Sequence, residues 1–89
     1  MIHVIVEQSF DPPLTPEAFS RLAGRVEPCL EQYGVVWVRS FMAADRRRMI
    51  CHFEAADADT VRRAYRSADA DFDRAWTAEV RSPEGARAD

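Results

Sequence analysis

The sequence predicts an α+β domain with the element order β-α-β-β-α-β, its four strands in one antiparallel sheet and its two helices on one face. Three observations predict it. Four segments rich in β-branched and aromatic residues alternate apolar and polar side chains, as half-buried strands do. Two segments carry apolar residues at helical spacing behind N-cap signals. The length, 89 residues with 47% hydrophobic and 30% charged side chains, suits one globular domain. It is too short for a separate cofactor domain or a TIM barrel.

The first strand is read over 1–8, MIHVIVEQ, bounded by the breaker cluster Ser9-Phe10-Asp11-Pro12-Pro13. Thr15-Pro16-Glu17 then opens a helix, with Thr15 as N-cap, Pro16 at the first helical position and Glu17 favoured by the helix dipole. Phe19, Leu22, Ala23, Val26, Leu30 and Tyr33 form one stripe along it, and Gly34 stops it. Pro28 lacks an N–H and presses on the turn before it, so a kink near Gly24–Pro28 is expected rather than two separate helices. A second strand over 35–43 and a third over 47–55 make a hairpin about the turn Ala44-Asp45-Arg46. Asp57 or Asp59 caps a second helix through about Ser67, with Val61, Ala64, Tyr65 and Ala68 on one face. A loop over 69–73 leads to a fourth strand over 74–81. One domain is expected over 1–82, and a frayed tail over 83–89. In a chain of this length the order is that of a ferredoxin-like fold.

Composition excludes several function classes. Twelve basic against fifteen acidic side chains give a net charge of −3, which argues against nucleic acid and polybasic membrane binding. All twelve basic residues are arginine, so no lysine is present for a Schiff base. No apolar run approaches the ~20 residues of a membrane span, and no signal peptide is recognised, so a cytoplasmic protein is expected. Cys29 and Cys51 make no disulfide framework and read as small buried hydrophobes in a reducing compartment. The run Arg46-Arg47-Arg48 reads as a solvated hairpin tip. Asp69, Asp71 and Asp73 lack the glycine and distal glutamate of a calcium loop.

Alternation sorts each strand into two sets. One set is almost wholly apolar: Ile2, Val4, Val6, Val36, Val38, Met42, Met49, Cys51, Phe53, Trp76, Ala78 and Val80. It is assigned to the face under the helices. The other set is assigned to the open face and mixes His3, Ile5, Glu7, Val35, Trp37, Arg39 and Phe41 with Ile50, His52, Glu54, Thr77, Glu79 and Arg81. An open face should be polar. This one carries Trp37, Phe41, Ile5 and Ile50, more apolar surface than a monomer usually shows to water. A second copy of the same face, as a two-fold dimer, is the cheapest cover, and a ligand is the alternative.

Both histidines fall on that face. Setting the first and third strands midpoint to midpoint puts His3 near Glu54 and His52 near Ile5. Imidazole with carboxylate suits Zn²⁺, Ni²⁺ or Cu²⁺, so His3, His52 and Glu54 are the candidate metal ligands. No HxH, HExxH or paired-cysteine motif reinforces them. The ordinary alternative is two strand histidines hydrogen-bonded to Glu54 or Glu7. Arg39 and Arg81 suit an anionic ligand, or else a salt bridge across the sheet. Candidate ligand-binding residues are Trp37, Arg39, Phe41, His52 and Glu54. A general-base reading uses His52 or Glu54 inside a dimer-closed cavity, but no nucleophile is marked, and Ser40 has no obvious base partner.

The segment VVWVRSFMAADRRRMICHFEAADADTVRRAY, with Trp37-Val38-x-Ser40-Phe41, Cys51-x-Phe53-x-Ala55 and an acidic-capped helix after them, resembles a family of short ferredoxin-like domains that includes a nickel-binding protein. The resemblance runs from MIHVIVEQ through LTPEAF to AEVRS. It implies a homodimeric α+β barrel with the open sheet faces turned inward, and metal held by histidine and oxygen ligands. The chain departs from the family pattern at four places. Arg39 stands where histidine is frequent, Ala64 where the second helix carries a histidine, and Asp69-Ala70-Asp71-Phe72 where a Gly-aromatic-Pro turn follows. His52 stands where an aliphatic residue is usual. The family's nickel ligands therefore do not transfer.

The expected protein is a cytoplasmic homodimer that binds a small ligand or a divalent metal such as nickel on the open face. The alternative is a cofactor-free dimeric-barrel enzyme, oxygenase- or isomerase-like, with His52 as base. Neither nucleic acid nor membrane is an expected partner.

Overall fold

The computed structural model describes residues 1–83. The elements are β1 Ile2–Ser9, α1 Pro16–Gln32, β2 Val36–Met42, β3 Arg48–Ala55, α2 Ala58–Ser67 and β4 Arg74–Ala78. The strands form one sheet in the order β2-β3-β1-β4, every neighbouring pair antiparallel. This is the ferredoxin-like arrangement expected from the element order. The expected tail over 83–89 lies, from residue 84 onward, outside the described residues.

Local chemistry sets the helix ends. The Ala18 N–H donates to Thr15 Oγ1 at 3.1 Å, with Pro16 at the first helical position. At the other end Gly34 adopts φ 68°. The Gly34 N–H reaches Glu31 O, and the Val35 N–H reaches Leu30 O at 2.8 Å. This paired closure satisfies carbonyls that the last turn would leave bare. The helix is continuous through Pro28. Asp57, not Asp59, caps α2, its Oδ1 accepting from the Thr60 N–H at 2.7 Å and from Thr60 Oγ1. Those bonds hold the Asp57 carboxyl below its usual range. Asp59 instead pairs with Arg63 one turn on.

The core lies between the sheet and the helices. Val4, Val6, Met49, Cys51, Phe53 and Ala55 meet Val26 and Leu30 of α1 and Val61, Ala64 and Tyr65 of α2. Phe53 and Tyr65 pack edge to face at 6.0 Å between centroids. Both helical stripes face the core as expected.

Two strand-phase expectations are overturned. In β4, Ala75 pairs with Val6 and Thr77 with Val4, so these two face the helices. Trp76 pairs with Ile5 and Ala78 with His3, which puts them on the open face instead. Ala75 is buried in the core at 7% exposed, and the Arg62 side chain of α2 donates to its carbonyl at 2.6 Å, so the small residue of the pair faces the helices. The strand also ends at Ala78 rather than 81, because its last rung is His3–Ala78 and β1 begins at Ile2.

In β2 the ladder to β3 slips by one residue between Trp37 and Arg39. Val36 pairs with Glu54 and Trp37 with Phe53, but Arg39 pairs with His52. This bulge moves Trp37 off the open face and onto the helix side, where its ring stands 6.5 Å from that of Phe19. Val36 takes the open face, 48% exposed, and Val35 enters the core. Trp37, expected among the ligand-contacting residues of the open face, is not on it.

Candidate functional site

Two concavities bear on the predicted site residues, one on each face of the sheet. Between α1 and the sheet, a cavity of about 30 Å³ is lined by Phe19, Leu22, Trp37, Cys51, Tyr65 and Gln8. That is room for about one water molecule. Its polar groups serve the core. Trp37 Nε1–H donates to Ser40 Oγ at 2.8 Å, and the Ser40 hydroxyl donates to Cys51 Sγ at 2.9 Å. Burial pushes the Cys51 thiol up, against the pull of Ser40 and Tyr65. Burial, then Cys51, raises the Tyr65 phenol far above its usual value. Neither is a reactive group there. Ser40 is thus occupied on the helix side and offers no nucleophile to the open face.

The open face carries a groove of about 460 Å³, lined by Ile5, Arg39, Phe41, His52, Trp76 and the segment 78–82. Its walls mix Phe41, 64% exposed, and Trp76, 43% exposed, with the charged side chains of Arg39, Glu79 and Arg81. Trp76 is fixed by its Nε1–H, which donates to Glu7 Oε2 at 2.8 Å. Glu7 also pairs with Arg48 and Arg74 on the flanking strands. Glu7 is therefore committed to the sheet and is not a histidine partner.

The histidines meet at the edge of this groove. The β1–β3 register sets His3 opposite Glu54 and His52 opposite Ile5, as the midpoint alignment predicts. The two imidazoles are then diagonal neighbours on one face, the closest non-opposite relation a sheet provides. Their rings stand 5.0 Å apart, and His3 Nδ1 lies 2.9 Å from His52 Nε2. Each histidine is thus the other's partner, in place of the carboxylate partners Glu54 or Glu7. Desolvation, then the charges of His3 and Arg39, lower the His52 pKa from its usual value, and Glu54 opposes them weakly. In the hydrogen bond between the rings one nitrogen donates and the other accepts.

The remaining predicted residues divide. Arg39 is the ladder partner of His52, and Phe41 of Ile50, so both stay on the face with the histidines. Glu54 stands between His3 and Val36 as ladder partner of each. Arg81, beyond β4, holds Glu79 at 2.6 Å. Among the described residues no group of three or more His, Cys, Asp or Glu side chains is placed to hold a metal ion. His3 and His52 are brought together, and Glu54 does not complete a set with them. Sequence reasoning missed Trp76 because an indole next to an alanine reads as the core residue of the pair.

No helix among the described residues is long and apolar enough to cross a membrane. The sequence model of the family described as "Nickel responsive protein SCO4226-like" matches residues 4–77. The crystal structure of SCO4226 from Streptomyces coelicolor A3(2) has a similar fold, with a TM-score of 0.78 over 90% of this chain and 99% of that one, at 12% sequence identity. No curated protein matches the chain.

Proposed function

Because the chain belongs to the SCO4226-like family of nickel responsive proteins, we propose that it is a small divalent-metal-binding protein whose ion sits on the open sheet face at His3 and His52. The observation that carries this reading is the 2.9 Å between His3 Nδ1 and His52 Nε2. Two imidazole nitrogens this close can turn toward one ion, and imidazole suits Ni²⁺, Cu²⁺ or Zn²⁺. Without metal the same spacing serves a hydrogen bond. The residues present fit two coordination positions of such an ion and leave the others to donors outside the described set.

The protein acts as a homodimer in this reading. Ile5, Val36, Phe41, Ile50 and Trp76 share one sheet face, with Phe41 the most exposed of the large apolar side chains on the strands. A second copy of the same face covers them without exposing new apolar surface.

Native mass spectrometry of the chain with NiCl₂ tests both parts. A dimer that carries nickel, and that loses it in His3→Ala and in His52→Ala, is expected. Unchanged nickel retention in the double variant overturns the site. A monomer at micromolar concentration overturns the dimer. Phe41→Glu, which puts a charge on the proposed contact and touches neither histidine, is expected to give a folded monomer.

A further inference from the structure

We infer that a groove at the C-terminal end of β1 binds a small amino carboxylate, its ammonium held by Gln8 and Asp71 and its carboxylate by Arg21. Gln8 lies on the helix side of β1, at the opposite end and on the opposite face from His3, so this site is separate from the histidine pair.

The groove has a volume of about 400 Å³, within the range of small-molecule sites. Its walls are the β1–α1 loop, the first half of α1 and the α2–β4 loop. Hydrogen bonds hold all three. The Phe10 and Leu14 N–H groups donate to the Arg47 and Arg46 carbonyls at 2.8 Å each. Arg25 of α1 donates to the Ala68 and Asp69 carbonyls at 3.3 Å each. Gln8 Nε2 donates to the Asp71 carbonyl at 2.9 Å.

That last bond fixes which end of the Gln8 amide is left over. A carbonyl oxygen only accepts, so the amide nitrogen faces Asp71 and the amide oxygen is the free end. Gln8 is 3% exposed, and its Oε1 is buried without a hydrogen-bond partner. An orphaned acceptor at this depth costs free energy until a donor reaches it. The small cavity that Gln8 also borders has none to give. Its Trp37 and Ser40 donors are taken up in the chain to Cys51, and Tyr65 bonds Cys51 as well. A ligand N–H entering by the groove supplies the donor.

Charge selects the kind of donor. Asp69 and Asp71 stand on one wall, Asp11 on a second, and Arg21 and Arg25 on the third. Among the described residues Asp69, Asp71 and Arg21 enter no ion pair, whereas Asp11 has Arg47 at 3.4 Å and Arg25 has its two carbonyls. A plain cation would meet the guanidiniums, and a plain anion the carboxylates. A molecule with both charges meets each with its opposite. Guanidinium also matches a carboxylate in a two-point hydrogen bond. Phe10, Leu14 and Leu22 add apolar surface to the lining, which suits a short hydrocarbon skeleton.

The test is an NMR titration of the isotope-labelled full chain, without added metal, with three probes. They are L-leucine, isoamylamine, which lacks its carboxylate, and isocaproate, which lacks its ammonium. Saturable shifts at the Gln8 side-chain amide and around Asp71 are expected, with L-leucine bound about tenfold or more tighter than either fragment. Gln8→Met, which removes the acceptor at similar volume, is expected to weaken L-leucine about tenfold. Arg21→Gln, at an exposed position, is expected to bring L-leucine down to the affinity of isoamylamine, and melting temperatures report that both variants are folded. Isoamylamine bound as tightly as L-leucine makes this a plain cation site, and isocaproate bound as tightly makes it a plain anion site. Either result overturns the inference. Unchanged L-leucine affinity in Arg21→Gln overturns the placing of the carboxylate. No saturable shift with any probe overturns the site itself, water alone then serving Gln8.

Discussion

Trp37 and Arg39 stand two residues apart on β2 and lie on opposite faces of the sheet. Strand alternation puts such residues on the same face. The slip in the β2–β3 ladder separates them: Trp37 is opposite Phe53, on the helix side, and Arg39 is opposite His52, on the open face. The two tryptophans are thereby parted, Trp37 beside Phe19 and Trp76 opposite Ile5 beside the groove.

That separation gives each face its own fluorophore. In Trp37→Phe the remaining indole, Trp76, shares Ile5 as a ladder neighbour with His52. Nickel is expected to quench its emission strongly. In Trp76→Phe the remaining Trp37 lies on the opposite face of the sheet, and weaker quenching is expected. Equal quenching in the two variants would place the ion elsewhere.

The two glycines of α1 and its cap are expected to respond with opposite signs. Gly24 is inside the helix, and an added Cβ meets no atom within 4 Å. Gly24→Ala is expected to stabilise the fold by about 0.5–1 kcal/mol through helix propensity and unfolded-state entropy. Gly34 has equal space but φ 68°, so Gly34→Ala is expected to cost about 1–2 kcal/mol. Urea titration of both variants reads the two signs directly. A stable Gly34→Ala protein would contradict the left-handed cap.

Acidification should destabilise the metal-free protein near the histidine range. His52 binds a proton less readily folded than unfolded. Where the folded pKa lies below the unfolded value, about 6.5, the unfolded chain carries more protons in between. The His52 contribution to stability is therefore complete above that value and is lost as pH falls through the folded one. Melting temperature is expected to fall as pH drops below about 6.5, and less steeply in His52→Gln. A steeper fall in the variant would reverse the sign. Asp57, whose carboxyl is also depressed, loses its capping contribution at lower pH, below the usual aspartate range.

Thiol chemistry should distinguish the two cysteines. Cys51 is 3% exposed, and burial raises its pKa, whereas Cys29 is partly exposed on α1. A thiol reagent is expected to modify one cysteine quickly in the native protein and two after unfolding. Cys29→Ser should abolish the fast phase. Fast modification of Cys51 would mean that the sheet–helix interface opens locally.

Much of the fold was legible because its signals are local. Thr15-Pro16 and Asp57 mark helix starts through bonds to residues three positions on, and Gly34 marks a stop through a single backbone angle. The apolar stripes of α1 and α2 each lie on one helix and carry their own period. The β1–β3 register was also within reach, because two eight-residue strands of clear alternation allow few alignments.

The sequence by itself determined the element order, the helix caps and the helix-facing stripes, since each rests on interactions within a few residues. Tertiary structure alone decided which face receives Trp37 and Trp76, and that His3 meets His52 rather than a carboxylate. Alternation gives a strand two sets of side chains but not the phase of a short strand with apolar residues in both. The closeness of α2 to Ala75 set that phase in β4, and the bulge reset it within β2. The histidine pair joins positions 49 residues apart, so it exists only once the ladder has closed.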